Sequence, residues 1–138
     1  MAQKWIKISS DKKSIAAAEA AALYIELGWG TARKYSPQRM AKALANCDIV
    51  VSARNGAGEL VGIGRAFTDG VEYTKILDMV IAPEYQRQGV GRRMMLEIEK
   101  LTNGTTLYCE TERKNFPFLE EKMKYKKRKG LVVFAKKN

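Results

Sequence analysis

The chain has 138 residues, 46% hydrophobic and 29% charged, with a net charge of +10 from 25 Lys and Arg against 15 Asp and Glu. That is about one domain with a sizeable core, in need of neither disulfides nor a structural metal, and no apolar run approaches the ~20 residues of a membrane span. Histidine is absent, which removes Ser-His-Asp and Cys-His chemistry and nearly every zinc site and leaves acid–base work to carboxylates, Tyr, Cys, Lys or bound water.

The opening Lys4-Trp5-Ile6-Lys7 has neither the apolar region nor the cleavage site of a signal peptide, which points to the cytosol. Residues Lys4 to Ile8 alternate enough for a first strand, β1. From Ser14 to Leu27, "SIAAAEAAALYIEL" is rich in the best helix former and predicts α1, with Gly28 placed to end it. Ser36-Pro37 supplies an N-cap and a first-turn proline for α2, on which Met40, Ala43, Leu44 and Cys47 form one apolar stripe. "DIVVSAR" (48–54, β2) and "LVGIGRAF" (60–67, β3) flank "NGAGE", a hairpin signal. Asp69-Gly70 makes another turn, and Glu72 to Ala82 reads as β4, ending at Pro83. After "PEYQRQGVG" comes α3, with Val90, Met94, Ile98 and Leu101 on one face and Asn103-Gly104 as its stop. "TTLYCET" (105–111) reads as β5, "PFLEEKM" (117–123) as a short helix and "LVVFAKK" (131–137) as a final strand. The order is mixed α/β in one continuous domain, 1–138, and only the β4-α3-β5 unit needs a parallel, right-handed crossover.

Cys47 and Cys109 fit no metal-ligand spacing and read as reduced, partly buried thiols. Lys122, Lys124, Lys126, Lys127, Arg128 and Lys129 crowd one segment, and Lys136 and Lys137 follow. This is either a solvated basic surface or a site for a polyphosphate, an acidic partner or a nucleic acid. Charge alone does not choose, but the segment lacks the interleaved aromatics of a base-stacking surface.

The strand-to-helix turn is more specific. Gly89 and Gly91 form G-x-G, but the third glycine of a dinucleotide fingerprint and the Lys-Ser/Thr of a P-loop are both missing. What remains is a flexible turn at a helix N-terminus, where unpaired N–H groups and the helix dipole favour an anion such as a pyrophosphate. Arg87, Arg92 and Arg93 add charge around it. Glycines serving only tight packing are the alternative.

"VIAPEYQRQGVGRRMM" resembles the acyl-CoA-binding signature of the GCN5-related N-acetyltransferase (GNAT) superfamily, whose Q/R-x-x-G-x-G/A pattern is present as Gln86-Arg87-Gln88-Gly89-Val90-Gly91. The lead-in Ile81 to Tyr85, "LGW" at 27–29, "LVGIGR" and "KMKYKKR" are softer matches, and the element order fits nearly the whole chain. The resemblance implies a GNAT fold, a mixed central sheet of about six to seven strands with flanking helices. It implies that Gln86, Arg87, Gln88, Gly89, Val90, Gly91 and Arg92 hold the CoA pyrophosphate and that Met79, Val80 and Ile81 pair with the pantetheine arm. Asn115 is a weaker CoA contact, because the family Asn also aligns with Arg113.

The implied reaction is direct attack of an amine on acetyl-CoA, with no metal and no covalent enzyme intermediate. The family's general-acid Tyr position is occupied by Glu120, and a usual Gly position by Lys124. Glu120 is a candidate acid if desolvated; a solvated helix-face carboxylate is the plainer reading. Asp78, inside "ILDMVIA", is the most suggestive carboxylate, either as a base or in a structural pair. Glu110 is a second choice, and Lys75 stands where some relatives carry a carboxylate base. Trp29 and Tyr35, with Tyr24 and Arg33, lie where the first two helices wall the acceptor site; aromatics there receive an apolar or cationic amine or serve as packing. The acceptor is expected to be a small primary amine. Homodimers are frequent among the proteins it resembles, although no segment specifies an interface. The competing reading is an acyl-CoA sensor or interaction module without turnover.

Overall fold

The structure, a computed structural model, describes residues 5–138; the start of the predicted first strand at Lys4 lies outside them. Five strands form one sheet in the order β1-β2-β3-β4-β5: β1 Ile6–Ser9, β2 Ile49–Asn55, β3 Leu60–Thr68, β4 Tyr73–Ile81 and β5 Thr106–Cys109. The first four pair antiparallel, and β4 pairs β5 in parallel. The three α-helices are α1 Ala17–Glu26, α2 Pro37–Asn46 and α3 Val90–Leu101.

Neighbouring side chains of β2 divide the helices between the two faces. Arg54 reaches Glu19 of α1, whereas a Cβ built on Gly62, the register partner of Ala53, would stand 3.1 Å from both Ala53 and Met94 of α3. Because successive strand residues point to opposite faces, α1 and α3 cover opposite sides of the sheet. The apolar core fills both layers: Tyr24, Val50 and Ile63 are essentially inaccessible, as are Met94 and Ile98.

Helix α1 starts three residues later than Ser14. Ser14 ends a 3-10 turn, Lys12–Ser14, whose cap is Asp11. Glu19 then reaches back to the Ala16 N–H at 2.9 Å, and Gly28 (φ 77°) closes the helix with the Trp29 N–H on Tyr24 O. Ser36 and Pro37 open α2 as expected, with Ser36 Oγ accepting from the Arg39 N–H. On α3, Leu101 is largely exposed and Met95 and Thr102 are buried instead.

The predicted final strand does not form. Residues 131–138 have no regular structure, and Leu131, Val132, Val133 and Phe134 are well exposed. An apolar run favours extended backbone, but a strand also needs a partner edge, and the four-residue β5 pairs with β4 alone. The sheet therefore has five strands, not six to seven. The short fourth helix is a single π-type turn, Phe118–Lys122. Among the described residues no helix is long and apolar enough to cross a membrane.

Candidate functional site

Strand β4 leaves β5 partway along its length. The parallel pairing covers only Tyr73–Ile76 against Thr106–Cys109, while β4 continues to Ile81 against β3. The cause lies in the β3–β4 register, where Arg65 faces Asp78 but Ala66 faces Ile76. Leu77 is thus an extra residue on β4, a bulge that raises the local twist. Cross-strand partners share a face, so Asp78 lies on the α1 face with Arg65, and Ile76 on the α3 face with Ala66. Beyond the bulge, the β5-side backbone of Leu77 to Ile81 borders a wedge between the diverging strands. Met79 and Ile81 are half-buried there.

At the end of β4, the chain makes a 3-10 turn, Pro83–Tyr85, and enters α3 through Arg87 (φ 58°) and Gly89 (φ 82°). Gly89 is required by conformation, since a Cβ there would meet nothing. Gly91 is favoured by space: its Cβ would lie 3.1 Å from Ile81 Cδ1, which would have to give way by a few tenths of an ångström, and in ordinary contact with Phe118 at 3.8 Å. The two glutamine side chains brace the turn, with Gln86 Nε2 donating to Ile81 O and Gln88 Nε2 to Glu84 O, each at 2.8 Å. Gly89 supplies no side-chain cap, and the N–H groups of Val90, Gly91 and Arg92 have no acceptor among the described residues. Arg87 and Arg92 are exposed at this rim, whereas Arg93 is turned away and donates to Ile6 O at 3.0 Å. The result is an open set of donors at the mouth of a 12-residue helix, at the wide end of the wedge.

The second cluster sits on the α1 face. Asp78 is 8% exposed. Its Oδ1 accepts from the Tyr24 hydroxyl at 2.7 Å, and both oxygens accept from Arg65, the closest contact being Nη2 to Oδ2 at 2.5 Å. Burial, followed by the Asp78 charge, pushes the Tyr24 phenol up well beyond its usual range. Burial is the largest single influence on Arg65 and opposes its charge, but the Asp78 hydrogen bond and the charges of the surrounding Tyr24, Asp78 and Cys47 together outweigh it and raise its pKa. Tyr24 stacks on Tyr35 (centroids 4.9 Å apart) and takes the edge of Trp29 at 6.0 Å. Tyr35 is buried, and Trp29 is 44% exposed. Sequence reading singled out Asp78 but missed Arg65, although a lone Arg inside "LVGIGRAF" was the available signal.

The remaining expected residues are dispersed. Glu120 is exposed on the π-type turn, with no hydrogen-bond or ion-pair partner among the described residues. Glu110 pairs with Lys75 at 2.5 Å beside the narrow end of the wedge. Asn115 is exposed and donates to Thr111 Oγ1 at 3.1 Å. Lys124 adopts the left-handed φ of 60° that favours glycine. Tyr125 was not anticipated as a site residue; its hydroxyl is buried near Glu99 without a well-formed hydrogen bond among the described residues, and burial, with the Glu99 charge, raises its pKa. Cys47 is buried and Cys109 half-buried, both free thiols whose pKa values burial raises. Among the described residues no group of three His, Cys, Asp or Glu is gathered to hold a metal.

Comparison with known proteins agrees with this architecture. The family model described as "Acetyltransferase (GNAT) family" matches residues 16–120. A GNAT-family acetyltransferase from Streptococcus pneumoniae TIGR4 is 23% identical with a TM-score of 0.77, over 96% of this chain and 100% of that one. An aminoglycoside N-acetyltransferase in complex with CoA is 14% identical with a TM-score of 0.72, over 97% and 95% of the two chains. Glucosamine-6-phosphate N-acetyltransferase from Arabidopsis thaliana is 12% identical with a TM-score of 0.71, over 96% and 98%. At these identities the likeness to solved structures is one of fold. No curated protein matches the sequence.

Proposed function

Because the chain belongs to the acetyltransferase (GNAT) family, we propose that it is an acetyl-CoA-dependent N-acetyltransferase, acting as one domain on a small primary amine. The observation that carries this reading is the free first turn of α3 at the wide end of the β4–β5 wedge. The amides of Val90, Gly91 and Arg92 suit a pyrophosphate, aided by the helix dipole and by Arg87 and Arg92. Gln86 and Gln88 act one step back, by holding the turn in shape. The β5-side backbone of Met79, Val80 and Ile81 suits the amides of a pantetheine arm, and the exposed Asn115 is a weaker candidate contact.

The bound thioester supplies the activated acetyl group. The amine nitrogen attacks its carbonyl carbon, the C–S bond breaks, the thiolate takes up a proton, and the nitrogen loses one. A β4 N–H near the bulge donates to the carbonyl oxygen as negative charge develops there. Holding both reactants in one cleft supplies much of the acceleration.

Asp78 acts by position in this reading. Its oxygens already accept from Arg65 and Tyr24, so it anchors the buried Tyr24 against which Trp29 rests, and the exposed face of Trp29 is the one offered to the acceptor. Glu110 is engaged by Lys75, and Glu120 faces solvent. The ammonium proton therefore passes to water, and the rate should follow the free-amine fraction of the acceptor as pH rises.

Isothermal titration with acetyl-CoA, run beside a thiol-release assay over a panel of amines, tests the proposal. Binding with turnover on one amine class supports it. The exposure of Glu120 favours one second reading, an acyl-CoA-binding module without catalysis. Binding with no turnover on any amine would select that reading, and no binding at all would remove both.

A further inference from the structure

The loop between α1 and α2 forms one side of a groove of about 450 Å³ lined by Thr31, Arg33, Lys34, Arg39 and Lys137. Four cations converge there from two segments about a hundred residues apart in the chain, and no carboxylate lines the groove. None of the four has an acidic partner within 4.0 Å among the described residues, whereas the described residues elsewhere form ion pairs such as Arg54–Glu19 and Lys75–Glu110. Clustered like charges repel, and a groove lined by one sign of charge concentrates the opposite sign.

The groove is also braced. Arg39 Nε donates to Lys34 O at 3.1 Å, and the Arg39 backbone N–H is taken by Ser36 Oγ. This fixes the stem of Arg39 and leaves the far end of its guanidinium without a partner among the described residues. Lys34 Nζ stands 5.2 Å over the Tyr35 ring. Gly30 lets the loop lie against that ring, since a Cβ there would come within 2.8 Å of Tyr35. Tyr35 stacks on Tyr24, and Tyr24 is hydrogen-bonded to Asp78. The groove and the β4 bulge therefore lie at two ends of one aromatic stack.

We infer that this groove holds an anionic group of the acceptor, a phosphate or a carboxylate, while the amine of the same molecule reaches past the exposed Trp29 toward the wedge. The inference rests on the acetyltransferase reading above and specifies its substrate class: a small amine carrying a negative charge at its other end. An Arg beside Lys side chains suits phosphate and carboxylate oxygens alike.

Two matched pairs of acceptors test it: phosphoethanolamine against ethanolamine, and 4-aminobutyrate against butylamine, each with saturating acetyl-CoA. The expected result is a kcat/KM at least about tenfold higher for the anionic member of one pair, expressed mainly in KM and shrinking as salt rises. The better pair tells phosphate from carboxylate. The preference should fall toward unity in the triple variant Arg33→Gln/Lys34→Gln/Arg39→Gln, and in part in Lys137→Glu, a change far from α1 and α2 in sequence. Acetyl transfer without an anionic preference, or a preference that both variants retain, overturns the inference and leaves the acetyltransferase reading standing. A flat titration with acetyl-CoA instead fails the reading itself, and the inference falls with it. Binding of a short duplex oligonucleotide that the triple variant abolishes, with no acceptor preference, would assign the groove to nucleic acid and also overturn it.

Discussion

The first turn of α3 and the Arg65–Asp78–Tyr24 cluster are both polar and both adjoin β4, yet they are opposites in hydrogen bonding. The cluster is closed: one buried carboxylate accepts from a guanidinium and a phenol. The turn is open: its glutamines are tied down, but three successive amides of α3 have no acceptor among the described residues. A closed cluster has done its work once the chain is folded. An open one keeps its donors for something that arrives later. A suggestive residue type does not distinguish the two cases; the bonding partners do.

The contrast is broken most severely at Asp78. Asp78→Ala leaves the Arg65 charge buried without its partner and should lower the unfolding free energy by about 3–5 kcal/mol, read from urea denaturation. Acetyl-CoA affinity of the remaining folded protein should stay near the wild-type value. If stability is unchanged and affinity lost, Asp78 belongs to the open site. Gly91→Val makes the reverse test. Its side chain meets Ile81 and Phe118 in the turn, and acetyl-CoA affinity should fall about a hundredfold, about 2.8 kcal/mol, on titration calorimetry.

The Arg54–Glu19 pair sharpens the comparison at the surface, with 21% and 30% of the two side chains exposed. The Arg54 hydrogen bond holds the Glu19 carboxyl below its usual range. A lowered folded pKa means stability that is present above the unfolded value of about 4.3 and lost as pH falls through the folded one. Glu19→Gln should therefore cost about 1 kcal/mol or less at pH 7 and progressively less as the pH falls below the usual carboxylate range, in urea titrations across that span. Lys124→Gly relieves a left-handed backbone at φ 60° and should stabilise by about 0.5–1 kcal/mol in the same assay. Tyr125→Phe deletes a buried hydroxyl that lies near Glu99 but makes no well-formed hydrogen bond among the described residues. Its effect should lie within about 1 kcal/mol of zero, because no bond is lost; a loss of turnover in this variant at unchanged stability would give that hydroxyl a part in the chemistry.

Much of this architecture is legible in the sequence because local signals agree with the final packing. Ser36-Pro37 starts α2, the Met40–Leu44–Cys47 stripe is buried, "NGAGE" makes the hairpin, and the glycine turn opens α3. The misses have physical causes. "LVVFAKK" has strand composition, but a strand depends on an edge far away in the chain, which no local pattern reports. Leu101 continues the apolar period of α3, but the helix has reached its last residue there and Thr102 turns inward to cap Ile98 O. Asp78 was recognised as unusual, whereas its partners lie 13 and 54 residues away and became visible only in three dimensions. The basic groove was harder still, since Arg33 and Lys137 meet only through the tertiary fold.

The extra residue at Leu77 makes the cleft a matter of counting. Sheet pairing is periodic in two, so one inserted residue cannot be absorbed by sliding; it persists as a phase shift for the rest of the strand. Remove Leu77, and β4 would resume the cadence set by Tyr73 to Ile76. Asp78 would then follow Ile76 directly and still face Arg65, and nothing would compel the strand to peel away from β5. In that sense the wedge is encoded as an odd number, and a single-codon deletion is the shortest path from an open sheet to a sealed one.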